Sequence, residues 1–203
     1  MDSMVTPEFF TMAYAASPPW DIGRPQRALV TAFDELQLSG SALDLGCGTG
    51  EHVLELARRG VDAWGIDTAL PAIEAARGKA AERGLPATFV HGDALALAAL
   101  GRRFDTVIDC GFFHMLSDED RSRCVAELPH VLAAGGRLLM LGFATIDLGH
   151  PPRGYSPEDL RSYFAGFREV FIRPAAFELQ PGRLPIDEAL GGMPAWVSLF
   201  ERT

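Results

Sequence analysis

The hydrophobic and polar positions of the chain follow two different periods in turn. Short, almost continuously apolar runs predict buried strands, and longer segments with an apolar residue every three or four positions predict amphipathic helices. We therefore expect strands leading into residue 45 and at 61–66, 87–90, 104–109, 137–143, 167–179 and 195–201. Helices are expected at 25–38, 51–59, 69–83, 118–134 and 156–165, with a short one at 95–100. Pro129 should bend the fourth long helix, because proline removes a backbone donor.

Strands that alternate with helices predict an α/β fold, a doubly wound and mostly parallel seven-stranded sheet with helices on both faces. The last two strands follow the final helix with only a loop between them, which indicates an antiparallel hairpin at the C-terminal edge. Residues 24–203 should form a single domain. Residues 1–23 lack the periodicity of a core element and are rich in aromatic side chains, so they are either a tail with a few buried anchors or a lid.

The stretch 43–50, Leu-Asp-Leu-Gly-Cys-Gly-Thr-Gly, joins the first strand to the following helix. Glycines at 46, 48 and 50 allow a tight turn and a close approach of the backbone to a ligand at a helix N-terminus. A dinucleotide fingerprint would require glycine at the position of Glu51. A carboxylate there would repel a pyrophosphate, so an uncharged or cationic ligand is favoured.

Charge and cysteine content narrow the function classes. The formal net charge is −9 and there is no long basic run, so nucleic acid is not an expected partner. No apolar run is long enough to span a bilayer, and the N-terminus shows no signal-peptide pattern. Three widely spaced cysteines fit neither a disulfide framework nor a zinc site, so no metal is expected. These features predict a cytoplasmic protein, which we expect to be a monomer or a homodimer.

Four segments, in order, resemble motifs of the class I S-adenosylmethionine-dependent methyltransferases. They are the glycine stretch 43–50, Gly-Ile-Asp at 65–67, His-Gly-Asp-Ala at 91–94 and Phe-Asp-Thr-Val-Ile-Asp at 104–109. The resemblance implies S-adenosyl-L-methionine as cofactor and S-adenosyl-L-homocysteine as product. The cofactor-binding residues it implies are Trp20, Asp44, Gly46, Cys47, Gly48, Gly50, Asp67, Thr68, Asp93, Ala94, Asp109 and Cys110.

Two of these residues have a direct physical rationale. Asp67 follows Gly46 by the distance at which an acidic side chain at the next strand end meets a ribose diol, and a carboxylate accepts both hydrogen bonds. Asp93 follows a strand and would accept from the adenine amino group; otherwise it is a turn residue. By the resemblance, Asp44 organises the glycine loop and the cationic methionine end of the cofactor.

The segment 18–26, Pro-Pro-Trp-Asp-Ile-Gly-Arg-Pro-Gln, resembles the thiopurine and thiol/halide methyltransferase branch. Related actinobacterial sequences methylate heterocyclic compounds. The resemblance implies that Trp20 and Asp21 lie over the cofactor and close the active site, which makes residues 1–23 a predicted N-terminal lid.

The chemistry of methyl transfer suggests which residues act on the substrate. A thiolate or ring nitrogen needs little help, whereas a hydroxyl group needs a base. His114 follows the fourth strand and is the candidate base; the alternative is that it only packs at a helix start. Asp21 is the second catalytic candidate. Phe10, Tyr14, Phe113, His114 and Tyr155 are the expected substrate contacts, and His150 could border them.

The sequence thus predicts a methyltransferase that acts at sulfur, nitrogen or oxygen of a small aromatic or heteroaromatic molecule. Two alternatives stay open. One is a non-methylating or cyclising enzyme that binds the same cofactor on the same fold. The other is an NAD-dependent oxidoreductase, which Glu51 and the edge hairpin disfavour.

Overall fold

A computed structural model describes residues 6–145, 151–180, 182 and 192–203. The helices are Pro7–Ala15 (α1), Arg27–Leu36 (α2), Glu51–Arg58 (α3), Leu70–Arg83 (α4), Asp118–Val131 (α5) and Pro157–Tyr163 (α6). The strands are Ser41–Leu45 (β1), Asp62–Asp67 (β2), Ala87–His91 (β3), Phe104–Cys110 (β4), Leu132–Phe143 (β5), Phe167–Phe177 (β6) and Met193–Arg202 (β7). Short 3-10 turns span Leu97–Leu100 and Phe113–Met115.

All seven strands form one sheet in the order β3-β2-β1-β4-β5-β7-β6. The first five are parallel, and β7 pairs antiparallel with both β5 and β6. The predicted doubly wound sheet and its antiparallel C-terminal edge are therefore confirmed. The strand order reverses between β1 and β4, the place where such folds open a ligand crevice at the carboxyl ends of the strands.

The sheet separates two hydrophobic layers. Alternate residues of β1 serve opposite faces: Ala42 belongs to one layer, and Leu43 and Leu45 belong to the other. Helices α2, α3 and α4 cover the first face, and α5 and α6 cover the second. None of the described helices is long and apolar enough to cross a membrane.

Two elements differ from the sequence expectation. Helix α1 begins after Thr6, whose side chain accepts from the N–H of Phe9. The helix buries no residue, so its sequence lacks the apolar periodicity from which a helix could be predicted. Helix α5 ends at Val131, and β5 begins at once, five residues before the predicted start at 137. Pro129 is tolerated in the last turn, where its carbonyl accepts from Arg103 and Arg202.

Candidate active site

A cavity of about 240 Å³ opens at the carboxyl ends of β1, β2 and β4, where the strand order reverses. It brings together most of the residues that the sequence predicts for the site. Those that line it are Phe10, Tyr14, Trp20, Asp21, Gly46, Cys47, Gly48, Gly50, Asp67, Thr68, Ala94, Cys110 and His114.

The glycine loop needs its glycines for both conformation and space. Gly46, Gly48 and Gly50 all have positive φ, at 60°, 53° and 84°. A Cβ on Gly48 would lie 2.4 Å from the Tyr14 hydroxyl, and one on Gly50 would lie 2.6 Å from the Phe89 ring. Backbone N–H groups can therefore approach a ligand at this loop without side chains in the way.

Asp67 anchors the glycine loop from the end of β2. Its Oδ2 accepts from the N–H of Gly48 and its Oδ1 from the N–H of Ala69, both at 2.8 Å. Burial raises the pKa of Asp67, and these two hydrogen bonds oppose that rise. Each carboxylate oxygen still has accepting capacity for a ligand hydroxyl.

Asp44 lies beneath the loop and does not line the cavity. Within the described part of the chain neither of its buried oxygens has a hydrogen-bond partner. The closest cationic candidate is His52, whose Nδ1 is 3.6 Å from Asp44 Oδ2. Because His52 Nε2 accepts from the N–H of Gln26 at 3.1 Å, the network assigns the proton to Nδ1, facing Asp44. An unpaired buried carboxylate favours a cationic group in the cavity above it.

Asp109 and Asp93 lie outside the cavity, so the structure does not bring them to the ligand space as predicted. Asp109 is buried at the end of β4, where its Oδ2 accepts from the N–H of Phe113 at 2.9 Å, and burial raises its pKa to about 8. It holds the turn that follows the strand. Asp93 is exposed, and its Oδ1 accepts from the N–H of Leu95 at 2.8 Å, as in an Asx turn. Its neighbour Ala94 lines the cavity instead.

His114 lines the far end of the cavity and is 4% exposed. The N–H of Phe143 donates to its Nδ1 at 3.1 Å. The ring packs against Phe143 and Phe177, with centroids 4.5 and 5.6 Å away. Burial lowers the pKa of His114 to about 3, helped by the charge of Arg121. The imidazole is therefore neutral near pH 7.

Phe113 and Tyr155 require a correction, because the structure places both in the hydrophobic core and not at the cavity. Each is 1% exposed, and their rings pack 6.0 Å apart beside Tyr163 and Phe164. Phe112, which immediately precedes the 3-10 turn, lines the cavity, and the next side chain, Phe113, turns into the core. His150 lies outside the described residues.

The N-terminal segment, residues 6–26, covers the glycine loop. Trp20 Nε1 donates to the Tyr14 hydroxyl at 3.2 Å, and the Thr49 hydroxyl donates to Asp21 Oδ1 at 3.0 Å. The rings of Phe10 and Tyr14 meet Trp20 edge to face. Asp21 therefore ties the segment to the loop.

A second attachment joins this segment to the end of β6 and has no signal in the sequence. Arg24 forms two hydrogen bonds with Glu178, both 2.9 Å long. The Gln26 side-chain amide donates to the backbone carbonyl of Glu178 at 2.9 Å, and its oxygen accepts from the Glu178 N–H at 2.7 Å. The partners are more than 150 positions apart, which no local pattern can reveal.

Glu51 corrects one argument made from the sequence. Its carboxylate forms ion pairs with Lys79 at 2.8 Å and Arg83 at 2.9 Å. Burial alone would raise the pKa of Glu51, but the hydrogen bonds from Arg83 and Lys79 outweigh it and lower the pKa. With its charge neutralised, Glu51 is no strong obstacle to a pyrophosphate.

Comparison with known proteins decides the family. Residues 42–136 match the family described as "Methyltransferase domain". One similar solved structure is described by "Conversion of a Disulfide Bond into a Thioacetal Group during Echinomycin Biosynthesis". It is 32% identical in sequence with a TM-score of 0.82, and the match covers 97% of this chain and 93% of the other. The chain belongs to the class I S-adenosylmethionine-dependent methyltransferases.

Two curated relatives of this methyltransferase match over shorter segments. The 2-heptyl-1-hydroxyquinolin-4(1H)-one methyltransferase of Mycobacteroides abscessus is 38% identical over 64% of this chain and 57% of its own length. The demethylmenaquinone methyltransferase of Thermus thermophilus is 40% identical over 60% of this chain and 53% of its own length. The methyltransferase thus spans about half the length of the curated relatives it matches.

The residues present fit the cofactor of this family. The unpaired Asp44 carboxylate suits a cationic amino group, the glycine loop leaves space for backbone contact, and Asp67 offers two acceptors for a diol. Three further lining residues were not predicted from the sequence: Phe143, Phe177 and Leu179, at the ends of β5 and β6.

Proposed function

We propose that this protein transfers a methyl group from S-adenosyl-L-methionine to a sulfur, nitrogen or oxygen atom of a small planar aromatic or heteroaromatic molecule. One observation carries the proposal: a single cavity joins the glycine loop and Asp67 to a wall of aromatic rings, among them Phe112, Phe143 and Phe177. Such walls favour stacking on a planar ring and offer little to a sugar or a free amino acid.

The cofactor half of the cavity has a role for each residue. Asp67 would hold the ribose diol, the backbone of Gly46 and Gly48 the methionine end, and Ala94 would border the adenine. Asp44 would favour the cationic amino group from below the loop. When bound, S-adenosyl-L-methionine supplies an electrophilic sulfonium methyl group.

The protein contributes orientation and exclusion of water, which are the main requirements of an in-line displacement. Trp20 and Asp21 cover the loop through their bonds to Tyr14 and Thr49. We infer that residues 1–23 act as a lid, and this is supported by Phe10, Tyr14 and Trp20, which line the cavity.

The names of the relatives support an aromatic or sulfur acceptor. The Mycobacteroides abscessus relative is named for a quinolone with an N-hydroxyl group, a fused heteroaromatic ring. The solved structure concerns the conversion of a disulfide into a thioacetal, which is chemistry at sulfur. Both kinds of acceptor fit a cavity with aromatic walls.

The test has two parts. Calorimetric titration should show binding of S-adenosyl-L-homocysteine, and mass spectrometry should show methylated products from a panel of aromatic thiols, phenols and N-heterocycles. Turnover confined to charged aliphatic amino acids would contradict the acceptor class. Binding without any methyl transfer would instead favour a non-methylating enzyme on this fold.

A further inference from the structure

The imidazole of His114 is fixed in one tautomer by the backbone. The N–H of Phe143 donates to Nδ1, so that nitrogen carries the lone pair and the neutral ring has its proton on Nε2. Within the described part of the chain Nε2 makes no hydrogen bond. The residue is only 4% exposed, and its ring lines the cavity. Nε2 is not among the fully buried polar atoms that lack a partner, so it is open to the cavity, where a ligand can accept from it.

We propose that His114 is a fixed hydrogen-bond donor and not a general base, and that the acceptor substrates are those whose nucleophilic atom is already deprotonated when it binds. This inference rests on the proposed methyl transfer and specifies its substrate class: aromatic thiolates, phenolates and ionised N-hydroxy heterocycles. It replaces the role as a base that the sequence suggested for His114.

The surroundings of the ring agree with this assignment. Phe143, Phe177 and Gly111 pack against it, and this burial, together with the positive charge of Arg121, disfavours protonation of the ring. Burial raises the pKa of the neighbouring Cys110 thiol, which is therefore not a thiolate base. On the covering segment, Asp21 is engaged by the Thr49 hydroxyl.

The reaction balances without a base. The bond from the anionic acceptor atom to the methyl carbon forms as the carbon–sulfur bond breaks, and that electron pair stays on sulfur. The negative charge of the acceptor and the positive charge of the sulfonium cancel, and no proton moves. A donor at Nε2 would hold the anion in place before transfer.

The first test needs neither cofactor nor turnover. Long-range 15N–1H spectra of the histidine-labelled protein should show His114 as the Nε2–H tautomer, unchanged across the range in which a free imidazole titrates. Assignment comes from the spectrum of the His114→Asn variant. An Nδ1–H tautomer, or a titrating ring, overturns the proposal. Because this readout does not depend on S-adenosyl-L-methionine, it stays informative if the proposed function itself fails.

Two matched variants distinguish a hydrogen-bond donor from a general base at position 114. His114→Gln keeps an N–H donor of similar reach, whereas His114→Asn keeps an acceptor for the Phe143 N–H and loses the donor toward the cavity. With an acidic thiophenol as substrate, Asn should lower kcat/KM about 10- to 100-fold and Gln should retain most of it. Thermal unfolding of both shows that they are folded. Equal large losses in both variants with a weakly acidic phenol, together with little loss in either with the thiophenol, would indicate a base and overturn the proposal.

The pH dependence of kcat/KM tests independently whether a protein group acts as the base. In a series of phenols whose substituents lower the hydroxyl pKa stepwise, the rise of kcat/KM with pH should follow the pKa of each substrate. An inflection that stays constant across the series would belong to a protein group and would overturn the proposal, whether that group is His114, Asp21 or His150. Repeating the series with Asp21→Asn and His150→Ala should leave the substrate-dependent inflection unchanged.

Discussion

The Arg24 guanidinium and the Glu178 carboxylate meet in a paired geometry, Nη1 to Oε2 and Nη2 to Oε1, with both distances 2.9 Å. Glu178 also accepts from the backbone N–H of Arg27 at 2.9 Å, so one carboxylate joins the end of β6 to the start of α2. The Gln180 side chain, two residues on, donates to the Asp21 carbonyl at 2.7 Å. The segment that covers the glycine loop is therefore held by the end of β6, where Phe177 and Leu179 line the same cavity.

Glu178→Gln should loosen this attachment. Arg24 is half exposed, so solvent screens the pair and the expected loss of stability is only on the order of 1 kcal/mol. Hydrogen exchange across residues 9–20 should become faster, and the slowing of that exchange by S-adenosyl-L-homocysteine should weaken. Unchanged exchange in the variant would show that Glu178 does not position the segment.

The control for this variant lies on β6, the strand that leads to Glu178. Glu169→Gln removes a two-bonded ion pair with Arg161 that is exposed and lies away from the cavity. It should leave exchange in the N-terminal segment unaltered.

The effect of Glu178 on stability should also depend on pH. The hydrogen bond from Arg24 and the other partners lower the pKa of Glu178 below its ordinary value of 4.5, so the stability that this carboxylate contributes is present above that value and disappears as the pH falls through the lowered pKa. The stability difference between wild type and Glu178→Gln should shrink accordingly in acid.

Asp67→Asn should weaken the binding of S-adenosyl-L-homocysteine without unfolding the protein. The amide keeps the size of the side chain but replaces one acceptor and the charge, a loss of about 1.5–3 kcal/mol, or roughly 10- to 150-fold in Kd. Calorimetric titration measures it. An unchanged Kd would remove Asp67 from the cofactor site.

Asp93→Asn is the matched comparison, since this aspartate is exposed and its Oδ1 already accepts from Leu95 within its own turn. The structure leads us to expect a Kd close to that of wild type. A loss as large as that of Asp67→Asn would restore the adenine contact that the sequence suggested for Asp93.

Gly48→Ala tests the packing of Tyr14 on the glycine loop. The new methyl group would meet the Tyr14 hydroxyl at 2.4 Å, and φ at this position is +53°, which costs an L-residue roughly 1–2 kcal/mol. We expect lower thermal stability and weaker cofactor binding, both partly restored by Tyr14→Phe in the same chain. Gly78→Ala, in α4 with open space around it, is the control and should be neutral or stabilising.

The cofactor half of the site was predictable because its parts are local in sequence. A strand, a glycine turn and an acidic residue at the next strand end can each be recognised from a few consecutive positions, as with Gly46 and Asp67. The aromatic wall of the cavity was not, because Phe143 and Phe177 come together only through the pairing of β5 and β6 with β7.

The sequence also could not show which of two neighbouring residues lines the cavity. Phe112 and Phe113 are chemically identical and adjacent, yet the bond from the Phe113 N–H to Asp109 fixes a turn that puts one ring at the cavity and the other in the core. The tautomer of His114 likewise depends on the backbone of Phe143, which is 29 positions away.

Asp109→Asn should stabilise the protein, and the gain should depend on pH. Burial raises the pKa of this carboxyl from 3.8 to about 8, so in the folded state it is protonated over a range in which the unfolded chain has already lost the proton. The stability of the wild type therefore falls as the pH rises from about 4 to about 8 and levels off above that value. Asparagine has no proton to lose and can still accept from the N–H of Phe113. Thermal unfolding across this range should show an advantage for the variant that grows with pH and then becomes constant.

Asp105→Asn is the control with the opposite sign. The N–H and hydroxyl of Ser41 donate to Asp105 and lower its pKa, so its contribution exists above the ordinary value of 3.8 and disappears as the pH falls through the lowered pKa. That variant should be less stable than wild type at neutral pH and approach it in acid. If Asp109→Asn followed the same direction, the buried carboxyl would be ionised in the folded protein, and the turn at Phe113 would be held by a charge.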